Sequence, residues 1–119
     1  MTADELLEAY RQLAIAYWQA AEAADHRARN AAFDKLAPVQ MALRELGQER
    51  RILELLDDPS DHVRAWAAFD ALYFSPEDGV RVLRELEQGP RGELRFDAWA
   101  TLKQWEHGEL VLTPWEDER

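Results

Sequence analysis

The stretch Asp57-Asp58-Pro59-Ser60-Asp61-His62-Val63-Arg64-Ala65-Trp66-Ala67-Ala68-Phe69-Asp70-Ala71-Leu72 reads as a turn followed by a helix. Ile52, Leu53, Leu55 and Leu56 come before it as one apolar helix face. Asp57 to Ser60 stop that run, because short polar side chains favour turns and a proline has no N–H with which to continue a helix. Ser60 or Asp61 then caps the next helix. Along it Val63, Ala67 and Ala71 recur at i, i+4 and i+8 and are expected to face inward.

The stretch has a copy upstream. Asp25 to Leu36 aligns with Asp61 to Leu72 without a gap, at an offset of 36 residues and with seven of the twelve positions identical. A weaker third copy starts near Glu93, where Leu94-Arg95 and Ala98 echo Val63-Arg64 and Ala67 at an offset of 31. Repeats of this length built from helix pairs are the signature of an α-solenoid.

The central motif, Leu55, Leu56, Asp57, Asp58, Pro59, Asp61, Val63, Arg64, Ala67, Ala68, Ala71 and Leu72, resembles one HEAT repeat. Over roughly residues 2 to 108 the chain resembles a small bacterial family of HEAT-like helical proteins described only as a domain of unknown function. Asn30, Phe33, Asp34 and Lys35 fit that pattern, as do Trp105 and Gly108, whereas Trp99 stands where a small residue is usual. The resemblance implies an all-α chain: a short right-handed α-solenoid of about three helix pairs. It also implies structural roles for Arg64 and Arg95, each bonded to an Asp or a carbonyl of a neighbouring repeat. Asp57, Asp58 and Asp61 are the carboxylates nearest Arg64 in sequence, and Arg–carboxylate pairing suits that role.

A chain of 119 residues suits one domain, 1–119, and 47% hydrophobic residues allow a real core. There are no cysteines, which excludes disulfides, thiolate nucleophiles and cysteine-based metal sites and fits a reducing cytoplasm. Met1 to Tyr10 is acidic, unlike the basic start of a signal peptide, and no apolar run approaches the ~20 residues that span a bilayer. The formal charge is −10, from 24 acids against 14 bases. Nucleic-acid affinity comes largely from Lys and Arg on phosphates, so neither nucleic acid nor an anionic membrane is expected to bind.

Thr2-Ala3-Asp4-Glu5 forms a capping box, and Leu6, Tyr10, Leu13 and Tyr17 mark one face of a helix reaching about Ala24. Tyr17 and Trp18 are read as packing rather than as a ligand platform. A second helix, 26–36, is expected to end or kink at Pro38 and resume over 39–46, with Gly47 at its C′ position. Further helices are expected at 48–56, 61–74, 76–88 and 93–105. Ser75-Pro76-Glu77-Asp78 starts one of them, with Val80, Leu83 and Leu86 as its buried face. The terminal segment 110–119 contains Trp115, expected to fold back on the last helix pair and cap the stack.

No Gly-rich phosphate loop, HExxH, EF-hand or nucleophile elbow is present. Glu22 with His26, and Asp58 with His62, have the i, i+4 spacing of a helical metal site, but each pair straddles an expected helix start, and neither metal nor cofactor is expected. On the central helix His62, Trp66, Asp70 and Tyr73, at i, i+4, i+8 and i+11, define a face separate from Val63, Ala67 and Ala71. The repeat offsets add His26, Asn30 and Asp34 from the first copy, and Glu93, Asp97 and Thr101 from the third. Together they give a concave face with an acidic rim and an aromatic centre, the composition of an interface for a basic protein.

These features point to a non-enzymatic, cytoplasmic protein–protein interaction module. His62, Trp66, Asp70, Tyr73, Asn30, Asp34 and Asp97 are its candidate contacts, and Arg64, Arg95 and Asp61 are structural. One concrete version is an immunity or antitoxin protein that blocks a basic toxin such as a nuclease. Two alternatives stay open: a small-molecule or metal-dependent enzyme using His62, Asp70 and His26 in the groove, and a structural subunit or homodimer.

Overall fold

Thr2 starts the first helix as its spacing to Glu5 requires. The Thr2 Oγ1 accepts from the Glu5 amide at 3.1 Å, and the Glu5 carboxylate accepts from the Thr2 amide at 2.8 Å. Those bonds, the backbone one first, hold the Glu5 pKa below its ordinary value. The computed structural model describes residues 1–116. Among them the chain is all helical, with no strand: α1 (Ala3–Glu22), α2 (His26–Glu45), a 3-10 helix (Glu49–Asp57), α3 (Asp61–Phe74), α4 (Pro76–Glu87) and α5 (Glu93–Glu106). None of these helices is long and apolar enough to cross a membrane. The chain divides into two compact units, Met1–Ile52 and Leu53–Arg119.

In the first unit α1 and α2 pack as a hairpin. Leu6, Leu7, Tyr10, Ala14, Trp18 and Ala20 are the buried residues of α1, while Leu13 and Tyr17 of the expected stripe are only half-buried. Trp18 packs edge-on against Tyr17 at 5.2 Å between ring centroids, so Trp18 belongs to the core. Ala32, Leu36, Gln40 and Leu43 are the buried residues of α2.

The helix does not end at Pro38: α2 is continuous from His26 to Glu45, with the proline inside it. A proline deprives the carbonyl four residues earlier of its N–H partner. Here that residue is Asp34, and Asp34, Ala37 and Pro38 are all exposed, so water can take the carbonyl. The proline is therefore tolerated on the solvent side. Gly47, at φ 68°, ends the helix, with the Gln48 amide bonded to the Leu43 carbonyl at 2.9 Å. Residues 49–57 wind as a 3-10 helix rather than an α-helix. Bonds from the Arg51 amide to Gln48 and from the Asp58 amide to Leu55 flank it, both of the i to i+3 kind.

In the second unit α3 packs on α4 and α4 on α5. Ser60 caps α3, its Oγ accepting from the Val63 amide at 3.4 Å, while Asp58 accepts from the Ser60 amide at 2.9 Å. Val63, Ala67 and Ala71 are fully buried. Ser75 and Pro76 open α4, but the Ser75 hydroxyl donates to Asp78 at 2.7 Å instead of capping a backbone amide. The buried residues of α4 are Gly79, Val82, Leu83 and Leu86, and Val80, expected inside, is half-buried.

A turn at His107–Gly108 follows α5, and a second turn stands at Thr113–Trp115. Leu112 and Trp115 are buried. The Trp115 ring meets α3, with centroids 4.8 Å from Phe74 and 6.5 Å from Tyr73. Its rings thus lie against the end of α3, whereas the last helix pair was the expected place.

Candidate functional site

The accessible side of α3 follows from what its other side buries. His62, Trp66 and Phe69 are half-buried and Tyr73 is exposed, while Ala65, Asp70 and the inward alanines are covered. His62, Trp66, Phe69 and Tyr73, at i, i+4, i+7 and i+11, therefore form one stripe. Trp66 and Phe69 meet edge to face at 6.2 Å. Three of the four residues expected on this face lie on it.

Asp70, expected on this face, is the exception. It is fully buried, and one carboxylate oxygen accepts the Trp115 indole N–H at 2.9 Å. The reason is helical geometry: at 3.6 residues per turn, i+7 returns to within about 20° of i, whereas i+8 overshoots by about 80°. Asp70 thus falls at the edge of the buried arc, and Phe69 takes its place in the stripe. The i, i+7 spacing of His62 and Phe69 carries this signal in the sequence.

The remaining candidates are distributed over both units. Asn30 and Asp34 are exposed on α2 of the first unit, as is His26. Asp97 is exposed on α5, yet its carboxyl is hydrogen-bonded to Thr101. Lost solvation holds the Asp97 pKa above the ordinary aspartate value, and Glu93 pushes it the same way against the Thr101 bond. Asp97 consequently loses its negative charge earlier than a free aspartate as the pH falls. Thr101, expected beside it on the groove face, is buried.

Arg64 reaches three groups. Its Nε donates to the Leu56 carbonyl at 2.9 Å, one guanidinium nitrogen lies 3.4 Å from Asp61, and the other donates to Glu85 on α4. The side chain therefore ties the end of the 3-10 helix, the first turn of α3 and α4 together. Arg95 does not repeat this arrangement. It is exposed, and its one hydrogen bond among the described residues reaches the Gly89 carbonyl at 3.5 Å. The Gly89–Gly92 loop before α5 supplies no buried carbonyl like that of Leu56.

Removing Arg64 tests this difference. Arg64→Ala is expected to cost about 1–2 kcal/mol in urea denaturation, since a charged donor leaves a part-buried carbonyl, and Arg95→Ala under about 0.5. The pH dependence provides a second readout. The Arg64 hydrogen bond, helped by Arg81, lowers the Glu85 pKa from 4.5. A lowered carboxylate stabilises the fold above its unfolded pKa, so this contribution is present above pH 4.5 and lost as the pH falls through the lowered value. Arg64→Ala should therefore flatten the acid side of the stability profile.

No cluster of three or more His, Cys, Asp or Glu side chains able to hold a metal occurs among the described residues. No family model matches the chain, and neither a curated protein nor a solved structure matches it. What stands is an all-helical protein with an aromatic stripe on α3.

Proposed function

We propose that this chain is a non-enzymatic interaction module of HEAT-like helix pairs, a short right-handed α-solenoid, that binds a basic protein. The observation that carries the reading is the α3 stripe of His62, Trp66, Phe69 and Tyr73 on a chain of net charge −10. Aromatic side chains supply desolvated anchor area, and surrounding acids steer a basic partner and set its orientation. Asp97, on α5 of the same unit, contributes an acidic contact outside the stripe, and Asn30 and Asp34 are candidate contacts of the first unit taken by itself. An immunity- or antitoxin-type inhibitor of a basic cytoplasmic toxin is the concrete form of this proposal.

Tyr73 is the residue to test. It is 44% exposed, whereas Trp66 is half-buried and its removal would mix folding with binding. Affinity capture from extract of the source cell should retain a basic protein on the wild type. Tyr73→Ser should weaken that complex by about 1–2 kcal/mol, about five- to thirtyfold in Kd, beyond the modest fall in melting temperature that losing its contact with Trp115 brings. Capture of acidic partners only, or a basic partner held equally by Tyr73→Ser, would remove the stripe from the interface.

A further inference from the structure

Phe96 sits on the side of α5 opposite its buried residues Ala98, Thr101 and Leu102, and is 64% exposed. Trp99 beside it is 44% exposed, with its ring centroid 5.8 Å from that of Phe96. The pair lines a groove of about 470 Å³, together with Glu87 and Gln88 from the end of α4, and Arg91 and Arg95 from the start of α5 and the loop before it. Within this unit Arg64, Arg81 and Lys103 each meet a carboxylate. Among the described residues no carboxylate lies within 4.0 Å of Arg91 or Arg95. Two arginines against Glu87 leave this groove positive on a chain that is otherwise strongly acidic.

We propose that this groove is a second docking site, for a short peptide segment of a partner protein carrying a carboxylate next to a large apolar side chain. The arginine forks match a carboxylate in geometry and charge. The Phe96–Trp99 surface takes the apolar neighbour, and Trp and Arg together are the side chains most enriched where binding energy concentrates. The opposed charge is that of the lining itself, two arginines against Glu87, and at physiological ionic strength acids beyond about 8 Å weigh little against it. The groove shares no residue with the His62–Tyr73 stripe, so either surface can fail without the other.

The test uses the full chain and two synthetic probes, the blocked peptide Gly-Glu-Leu-Asp-Phe-Gly and its counterpart with Lys in place of Glu and Asp. Nitrogen–proton correlation spectra are followed to about 5 mM peptide, since an isolated contact of this size gives a Kd near the millimolar range. The Trp99 indole signal, assigned by its loss in Trp99→Phe, is expected to shift with the acidic peptide and to stay in place with the basic one. Phe96→Ser should abolish the shift. Arg91→Glu with Arg95→Glu should weaken acidic-peptide binding at least about tenfold and favour the basic peptide. All four side chains are exposed, so these variants should keep the wild-type melting temperature. If the double reversal unfolds, Arg95→Gln alone replaces it, with a smaller loss expected. An unmoved Trp99 signal, equal response to both peptides, or undiminished binding by the arginine variants would overturn the proposal. So would a concentration-dependent dimer abolished by Phe96→Ser, which would assign the groove to a second copy of the chain.

Discussion

Trp115→Ala should destabilise the second unit by about 3–5 kcal/mol, the cost of truncating a large side chain in a packed interior. Trp115 is 2% exposed, its ring lies 4.8 Å from that of Phe74, and its N–H meets the buried carboxylate of Asp70. Trp115→Phe is the milder change. It keeps one aromatic ring but loses the N–H together with the rest of the five-membered ring, so its cost, about 1–3 kcal/mol, combines a donor withdrawn from the buried Asp70 carboxylate with a small cavity and should fall below that of the Ala variant. Both are read by urea denaturation followed by circular dichroism. An Ala variant within about 1 kcal/mol of wild type would mean that the segment after α5 does not depend on this contact. The same variants bear on function. Trp115 stacks on Tyr73 at 6.5 Å, so its loss should also disturb the α3 stripe and weaken any partner that uses it.

The contrast between Asp70 and Ser60 shows what could be read from the chain. Ser60 caps α3 through a group three residues away, and local spacing announced it. The same holds for Gly47 at the end of α2 and for Val63, Ala67 and Ala71 on the inward side of α3. Asp70 is fixed by a partner 45 residues later in sequence, and no local pattern contains that contact. Its burial removed an acid from the expected rim and left the stripe aromatic. Pro38 does not end α2. The local rule was sound, but solvent on that side of α2 relieves the lost hydrogen bond. Arg64 and Arg95 align at an offset of 31 residues, and only Arg64 finds a part-buried carbonyl beside it. The turn or loop before each helix decides what its arginine can reach. The groove at Phe96 and Trp99 was illegible for a related reason: two exposed aromatics on a helix look like core until the helix orientation is known.

Gly79→Ala should reverse the ordinary preference of a helix. In isolation alanine is favoured over glycine by about 1 kcal/mol in a helix interior. Gly79 lies in α4, where α3 comes so close that an added Cβ would stand 2.8 Å from the Ala68 carbonyl oxygen and 2.9 Å from the Leu72 amide nitrogen. Both are backbone atoms of α3, so neither can turn aside as a flexible side chain would. The two helices must separate, and overpacking of this kind costs about 1–3 kcal/mol, occasionally more. Separation would also loosen the fully buried Ala71 and Val82 and lengthen the reach from Arg64 to Glu85. Net destabilisation of about 1–3 kcal/mol is therefore expected for Gly79→Ala, and a larger loss for Gly79→Val, whose branched side chain adds bulk at the same contact. Gly89→Ala provides the comparison. Gly89 is outside the α3–α4 contact, with one carbonyl at 3.2 Å from the added Cβ, and its change should be smaller. Thermal and urea denaturation of the three variants decide the matter. Gly79→Ala at or above wild-type stability would mean that α3 and α4 do not approach this closely.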